Sequence, residues 1–214
     1  MFRFVVASAL LVTTTTSALH SEPFTADVWA DNWFEMRIDG LQVAEDSVPI
    51  TTERSFNAER FTFDADRPFV IGLVAMDFRE NDTGLEYIGT QRQQMGDGGV
   101  ILQIRDATGA LAVVSDADWR CLVIHTAPTD TSCEDEASPI AGEGACRFEA
   151  MAEPEGWDNA DFDASYWPAA TIHSAAAVDP KDGYDDITWD PSAAFIWGPD
   201  LERSNTVLCR AVVE

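Results

Sequence analysis

The sequence predicts an all-β protein, a single-domain β-sandwich or jelly roll, on three observations. Short runs alternate apolar and polar residues or are apolar throughout, turn residues bound them at regular spacing, and no convincing amphipathic helix interrupts them. In order along the chain, WFEMRIDG (33–40) alternates and ends in Asp39-Gly40, a pair that favours a hairpin turn, with LQVAED as the returning strand. ERFTFDA (59–65) places Phe61 and Phe63 on one face. PFVIGLVAMDF (68–78) is almost wholly apolar, as a strand buried on both faces would be. GGVILQIRDATGALAVVS (98–115) reads as two strands about the turn DATG, WRCLVIHT (119–126) as another, and ITWDPSAAFIWGPD and NTVLCRAVV complete the set.

The segment 127–186 is different. It holds Pro128, Pro139, Pro154, Pro168 and Pro180 together with much of the acidity. A structureless stretch that long is unusual in a compact domain, so a disulfide, buried aromatics or bound metal must hold it. No internal repeat or low-complexity linker divides the chain.

Residues 1–18 have the build of an export signal: Arg3, the apolar run FVVASALLV (4–12), and small residues through Ala18, after which cleavage is expected. The apolar run is shorter than the roughly 20 residues that span a bilayer. The mature domain, 19–214, is therefore expected to be secreted, extracellular or periplasmic, without membrane insertion; an uncleaved anchor is the alternative reading. The chain carries 38 acidic against 13 basic residues, a net charge of −25, which repels nucleic acid and anionic lipid. Such a surface suits solvation in salt or the binding of cations. With 12 Phe and 7 Trp the chain has ample material for a core and is not a disordered polyanion.

Cys121, Cys133, Cys146 and Cys209 are an even set in an exported chain, so disulfides are expected. Three pairings exist and the sequence leaves them open. Cys133–Cys146, closing a local loop, and Cys121–Cys209, tying two strand-like segments, are favoured. Zinc is disfavoured because no Cys-x-x-Cys or Cys/His spacing is present.

Signs of catalysis are few. His20, His125 and His173 stand alone, and neither a Gly-x-Ser-x-Gly, a His-Glu-x-x-His nor a phosphate-binding loop occurs. Carboxylates are so numerous that a pair at glycosidase separation carries no information. The expectation is a protein that is not an enzyme, with a small secreted hydrolase using Asp158, Asp161 or Asp163 as the competing class. DPKDGYDDITWD (179–190) fails as a helix-loop-helix calcium loop: with Gly183 as sixth position, Val178 and Pro180 occupy places that need Asp or Asn. NDT (81–83) is a glycosylation sequon or simply a turn.

One stretch stands out. EPEGWDNADFDASYWPAA (153–170) mixes Trp157, Tyr166 and Trp167 with Asp158, Asn159, Asp161 and Asp163. Calcium takes six to eight oxygens, and these four residues offer oxygen ligands within one loop. Sugars present apolar faces that stack on aromatic rings and hydroxyls that complete a metal shell, so the stretch suits calcium-assisted carbohydrate binding. The competing reading makes Trp157 and Trp167 core anchors under a long loop whose acids are merely solvated.

The segment 115–170 also resembles the accessory β-sandwich domains of bacterial α-L-rhamnosidases. The matching pieces are Ser115-Asp116 with Trp119, Pro139-Ile140, Gly142-Glu143, Gly156-Trp157, and Phe162-Asp163-Ala164-Ser165 with Trp167 and Ala170. ADNWFEMRIDG followed by PFVIGLVAMDF is similar to the first half of galactose-binding-like jelly rolls. The resemblance implies a galactose-binding-like jelly roll whose relatives bind rhamnose or other sugars, sometimes through calcium, and it carries Asp158 and Asn159 over as calcium ligands. Ala164 replaces an Asp of the family pattern, the cysteines have no counterpart, and the catalytic helical barrel is missing, so no rhamnosidase activity is implied.

The expected function is thus secreted, non-catalytic carbohydrate binding, calcium as cofactor, with Trp157 or Trp167 stacking on the sugar and Asp158 and Asn159 holding metal or hydroxyls. The alternative is a structural subunit of an extracellular or cell-surface assembly, a homo-oligomer included, with no sugar ligand.

Overall fold

A computed structural model describes residues 21–52 and 56–214; the expected export segment and His20 lie outside the described residues. Two six-stranded antiparallel sheets face each other. The first contains β1 (Glu22–Asp31), β4 (Phe56–Ala65), β8 (Gly99–Asp106), β9 (Leu111–Val114), β12 (Thr171–His173) and β13 (Phe195–Trp197). Its order is β12-β13-β8-β1-β4, with β9 also paired to β8. The second contains β2 (Trp33–Ile38), β3 (Leu41–Glu45), β5 (Phe69–Met76), β10 (Arg120–Thr126), β11 (Glu149–Ala150) and β14 (Ser204–Val213), in the order β11-β10-β14-β5-β2-β3. β6 (Leu85–Glu86) and β7 (Gln94–Met95) form a small separate ribbon. The α-helix α1 (Ala175–Val178) is one turn long, so the all-β expectation holds.

The alternation of side chains builds the core. From the first sheet, Phe24, Ala26, Val28 and Ala30 of β1 and Val100, Leu102 and Ile104 of β8 point inward. Phe34, Met36 and Ile38 of β2, Ile71, Leu73 and Ala75 of β5, and Val207, Cys209 and Val213 of β14 meet them from the second. Neighbours lie two residues apart, the period of a strand, with the partly buried Ala211 filling the step between Cys209 and Val213. Asp39 and Gly40 both take positive φ (47° and 81°), the backbone a tight hairpin needs, and join β2 to β3 as expected.

β5 is buried along nearly its whole length because both of its faces are covered. Its outer face carries Val74, which packs with Leu208 of β14 under Trp157, Ala164 and Trp167. On the opposite side of the molecule Trp29 and Ile101 pack beneath Val178 and Phe195, with Tyr184 and Trp189 around them. The loop-rich segments are therefore covers, each nailed down by indoles.

β1 escapes the alternation reading, because Asp27 and Asp31 sit on a strand that is nonetheless buried. Asp27 is tolerated there because Arg60 Nε and Gln103 Nε2 donate to its two oxygens at 2.5 and 2.9 Å. Both favoured disulfides are formed, Cys121–Cys209 between directly opposed residues of β10 and β14, and Cys133–Cys146 closing a loop against Leu85.

Candidate functional site

The 153–170 stretch lies flat on the outer face of the second sheet. Trp157 and Trp167 are 1% and 2% exposed and stack on each other with centroids 6.0 Å apart. Phe162 meets Trp167 edge-on at 5.7 Å. The indole faces expected to receive a sugar are thus occupied by the protein itself, and both residues serve as core anchors. Gly72 makes this approach feasible: a Cβ there would stand 2.8 Å from Asp158 Cβ and 3.1 Å from the Trp157 ring. Tyr166, by contrast, is 69% exposed.

The polar residues of the stretch are divided among separate tasks. Trp157 Nε1 donates to Glu153 Oε2 at 2.9 Å. Arg37 Nη1 donates to the same oxygen at 3.1 Å and to Asp158 Oδ2 at 3.3 Å, with its guanidinium 5.7 Å over the Trp157 ring. The Asn159 backbone carbonyl accepts from Arg210 Nη2 at 2.9 Å. Asp163 accepts from the Ser165 amide at 2.9 Å, closing its own turn, and the Ser165 hydroxyl followed by that amide holds the exposed carboxyl below the usual range. Asp161 is exposed. Among the described residues, no three His, Cys, Asp or Glu side chains are gathered as a metal-ligand set, so Asp158, Asp161 and Asp163 are not brought together.

Beside this stretch runs a groove of ≈ 320 Å³ that the linear sequence does not announce. Its floor is Val74 and Met76 of β5, Ile124 of β10 and Thr206 of β14. One wall is the segment after the disulfide loop, Phe148, Ala150 and Met151, continuing into Glu153; the other is Arg79 and Asp82. Met151 is 51% exposed, so an apolar lip faces solvent. Arg79 Nη1 donates to Asp82 Oδ1 at 2.7 Å and fixes the polar wall.

His125 lies under that wall. β10 carries register irregularities on both sides of it, a bulge of the kind that re-aims a side chain. Its ring stacks on Phe148 at 5.6 Å. Asn205 Nδ2 points to Asp77 Oδ2 at 3.4 Å, which leaves Asn205 Oδ1 as acceptor for His125 Nδ1 at 3.0 Å and assigns the imidazole proton to Nδ1. Nε2 is buried 3.4 Å from Asp82 Oδ1, an electrostatic contact without hydrogen-bond geometry. Burial, followed by the positive charge of Arg79, pushes the His125 pKa down, so the ring is neutral near pH 7.

The arrangement offers a concave apolar surface, two charged groups held in place and a carboxylate on the opposite wall. No family model matches the chain, and neither a curated protein nor a solved structure is detectably similar to it.

Proposed function

We propose that the chain is a secreted, non-catalytic carbohydrate-binding protein whose ligand lies in the groove on the outer face of the second sheet. The observation that carries this reading is the groove's mixed lining: Phe148 and Met151 on an apolar lip, opposite the Arg79–Asp82 pair, with Glu153 at one end. A sugar ring has the same division, with apolar C–H faces and hydroxyls that both donate and accept. Binding sites for small polar molecules are typically apolar hollows with a few fixed polar groups. The export-type N-terminus and the resemblance to galactose-binding-like accessory domains support the same class, as do the two disulfides, which belong to oxidising surroundings. Among the described residues no helix is long and apolar enough to cross a membrane.

In this reading the 153–170 stretch builds the site rather than touching the ligand through its indoles. Trp157 positions Glu153, and Glu153 closes the groove. Glycan-array binding followed by titration calorimetry tests the proposal. Wild type is expected to select a glycan class, with Phe148→Ala and Arg79→Ala each weakening binding about tenfold or more, the loss of one well-placed contact of roughly 1.4 kcal/mol. Absence of binding to any glycan, together with concentration-dependent oligomers in solution, would move the assignment to a structural subunit.

A further inference from the structure

A second polar feature lies at the end of the sandwich where β1 and β5 finish, and nothing in the groove accounts for it. Asp31 ends β1 and stands opposite Gly99, which places it beside the loop that carries Asp97. Asp77 follows β5 directly. The Asn32 amide donates to Met76 O at 2.9 Å, and the Phe78 amide donates to Asn32 Oδ1 at 2.5 Å, so Asp77 is held against the end of β1. Glu86 arrives on the ribbon strand β6 opposite Gln94, which lies two residues before Gly96 and whose Nε2 donates to Glu86 Oε2 at 3.1 Å. Asp31, Asp77 and Glu86 are only 3%, 0% and 6% exposed.

The carboxylate of Asp77 is the singular member. Its Oδ2 has only the long 3.4 Å contact from Asn205 Nδ2, and its buried Oδ1 has no hydrogen-bond partner. Gly96 makes room for the carboxylate itself, since a Cβ at that position would sit 2.2 Å from Oδ2 and 2.8 Å from Oδ1. A carboxylate oxygen buried without a donor is costly and is among the rarer features of native proteins. Nearby positive charge is scarce. Lys181 acts on Asp31 and Asp97, but its ammonium is already engaged by the Asp179 carboxylate and carbonyl.

We infer that Asp31, Asp77, Glu86 and Asp97 bind one calcium ion, which supplies the partner that the buried Asp77 Oδ1 lacks. The donor set is oxygen only, without His or Cys, which selects a hard cation over zinc or copper. Four carboxylates with irregular placement suit the flexible six-to-eight-fold shell of calcium better than the strict octahedron of magnesium. Among the described residues no three such side chains stand gathered as a ligand set, so binding requires these carboxylates to close on the ion. The inference stands apart from the carbohydrate proposal, because no residue of this cluster lines the groove.

Equilibrium dialysis of the folded chain against radioactive calcium tests it, in about 0.15 M KCl so that diffuse binding to the acidic surface is screened. Wild type is expected to take up one ion per chain and to show a Tm that climbs with the logarithm of calcium concentration. Asp77→Asn keeps the shape and removes the charge; it should weaken binding by at least about tenfold, a loss of charge count being the lever that tunes such sites. Its Tm in chelator should equal or exceed that of wild type. Glu86→Gln serves the same comparison where Asp77→Asn does not fold, and the pair Asp161→Asn and Asp163→Asn should leave binding unchanged. Two results would overturn the site: no saturable uptake by wild type up to about 10 mM calcium, beyond the range of weak extracellular modules, or binding undiminished in both Asp77→Asn and Glu86→Gln.

Discussion

At the scale of single residues, Gly72 shows how one missing side chain decides what a tryptophan is for. The sequence offers Trp157 and Trp167 equally as stacking surfaces or as anchors, since an indole beside carboxylates suits either role. For Trp157 the choice is made by a glycine some eighty-five positions away in the chain, whose bare Cα lets the Trp157 ring and Asp158 lie against β5. Gly72→Ala is accordingly expected to destabilise the fold by about 1–3 kcal/mol, the usual cost of overpacking, in a urea titration. Trp157→Ala should cost about 3–5 kcal/mol, the range for deleting a buried aromatic, and should also release Glu153, whose Oε2 accepts the indole N–H at 2.9 Å. Glycan affinity in the Trp157 variant should fall less than in Phe148→Ala, because only the latter ring lines the groove. Equal losses would return the indole to the binding surface.

At the scale of elements, legibility follows from whether a signal is local. β5 was readable because burial on both faces leaves an apolar run, and the β2–β3 hairpin because Asp39-Gly40 dictates its own turn. β1 was not, since its Asp27 is satisfied by Arg60 and Gln103, residues far away in the chain. The groove was illegible for the same reason: β5, β10, β14 and two loops each contribute a few ordinary residues, and no segment holds a pattern. The disulfide loop is local and separable. Cys133 and Cys146 pack with Leu85, Ile88 and Met95 in a cluster of their own, apart from the sandwich core. Replacing both by Ser should cost about 2–3 kcal/mol, as expected for a short closed loop. Hydrogen exchange should then quicken in 85–95 and 129–147 while β1, β5 and β14 stay protected, since elements outside the main core open independently. Uniform quickening across the sandwich would contradict that division.

At the scale of the whole molecule, the acidity has an interior as well as a surface. Asp31 is pushed up to about 9 in the fold against 3.8 for the free group, and Asp77 and Asp97 are also raised. Between those limits the folded state holds more protons than the unfolded chain. The stabilisation is full below pH 3.8 and is lost progressively as pH climbs to about 9. In chelator the protein should therefore gain stability on acidification from pH 8.5 to 7, by up to about 1.4 kcal/mol per pH unit for each group that titrates. His125 works the other way, because its pKa is lowered in the fold: its contribution is lost as pH falls through 6.5, below the window chosen. Calcium changes the sign of the expectation. An ion seated among Asp31, Asp77, Glu86 and Asp97 requires their ionised forms, so protons compete with it and its stabilisation weakens as pH falls. Unfolding followed at pH 7, 7.75 and 8.5, with calcium and with chelator, should give two lines that converge on acidification. Parallel lines would mean that the interior carboxylates keep their protons and that the ion acts elsewhere. Arg79 and Asp82 leave β5 just beyond Asp77, so the same titration followed by glycan binding reads whether the ion also steadies the polar wall of the groove.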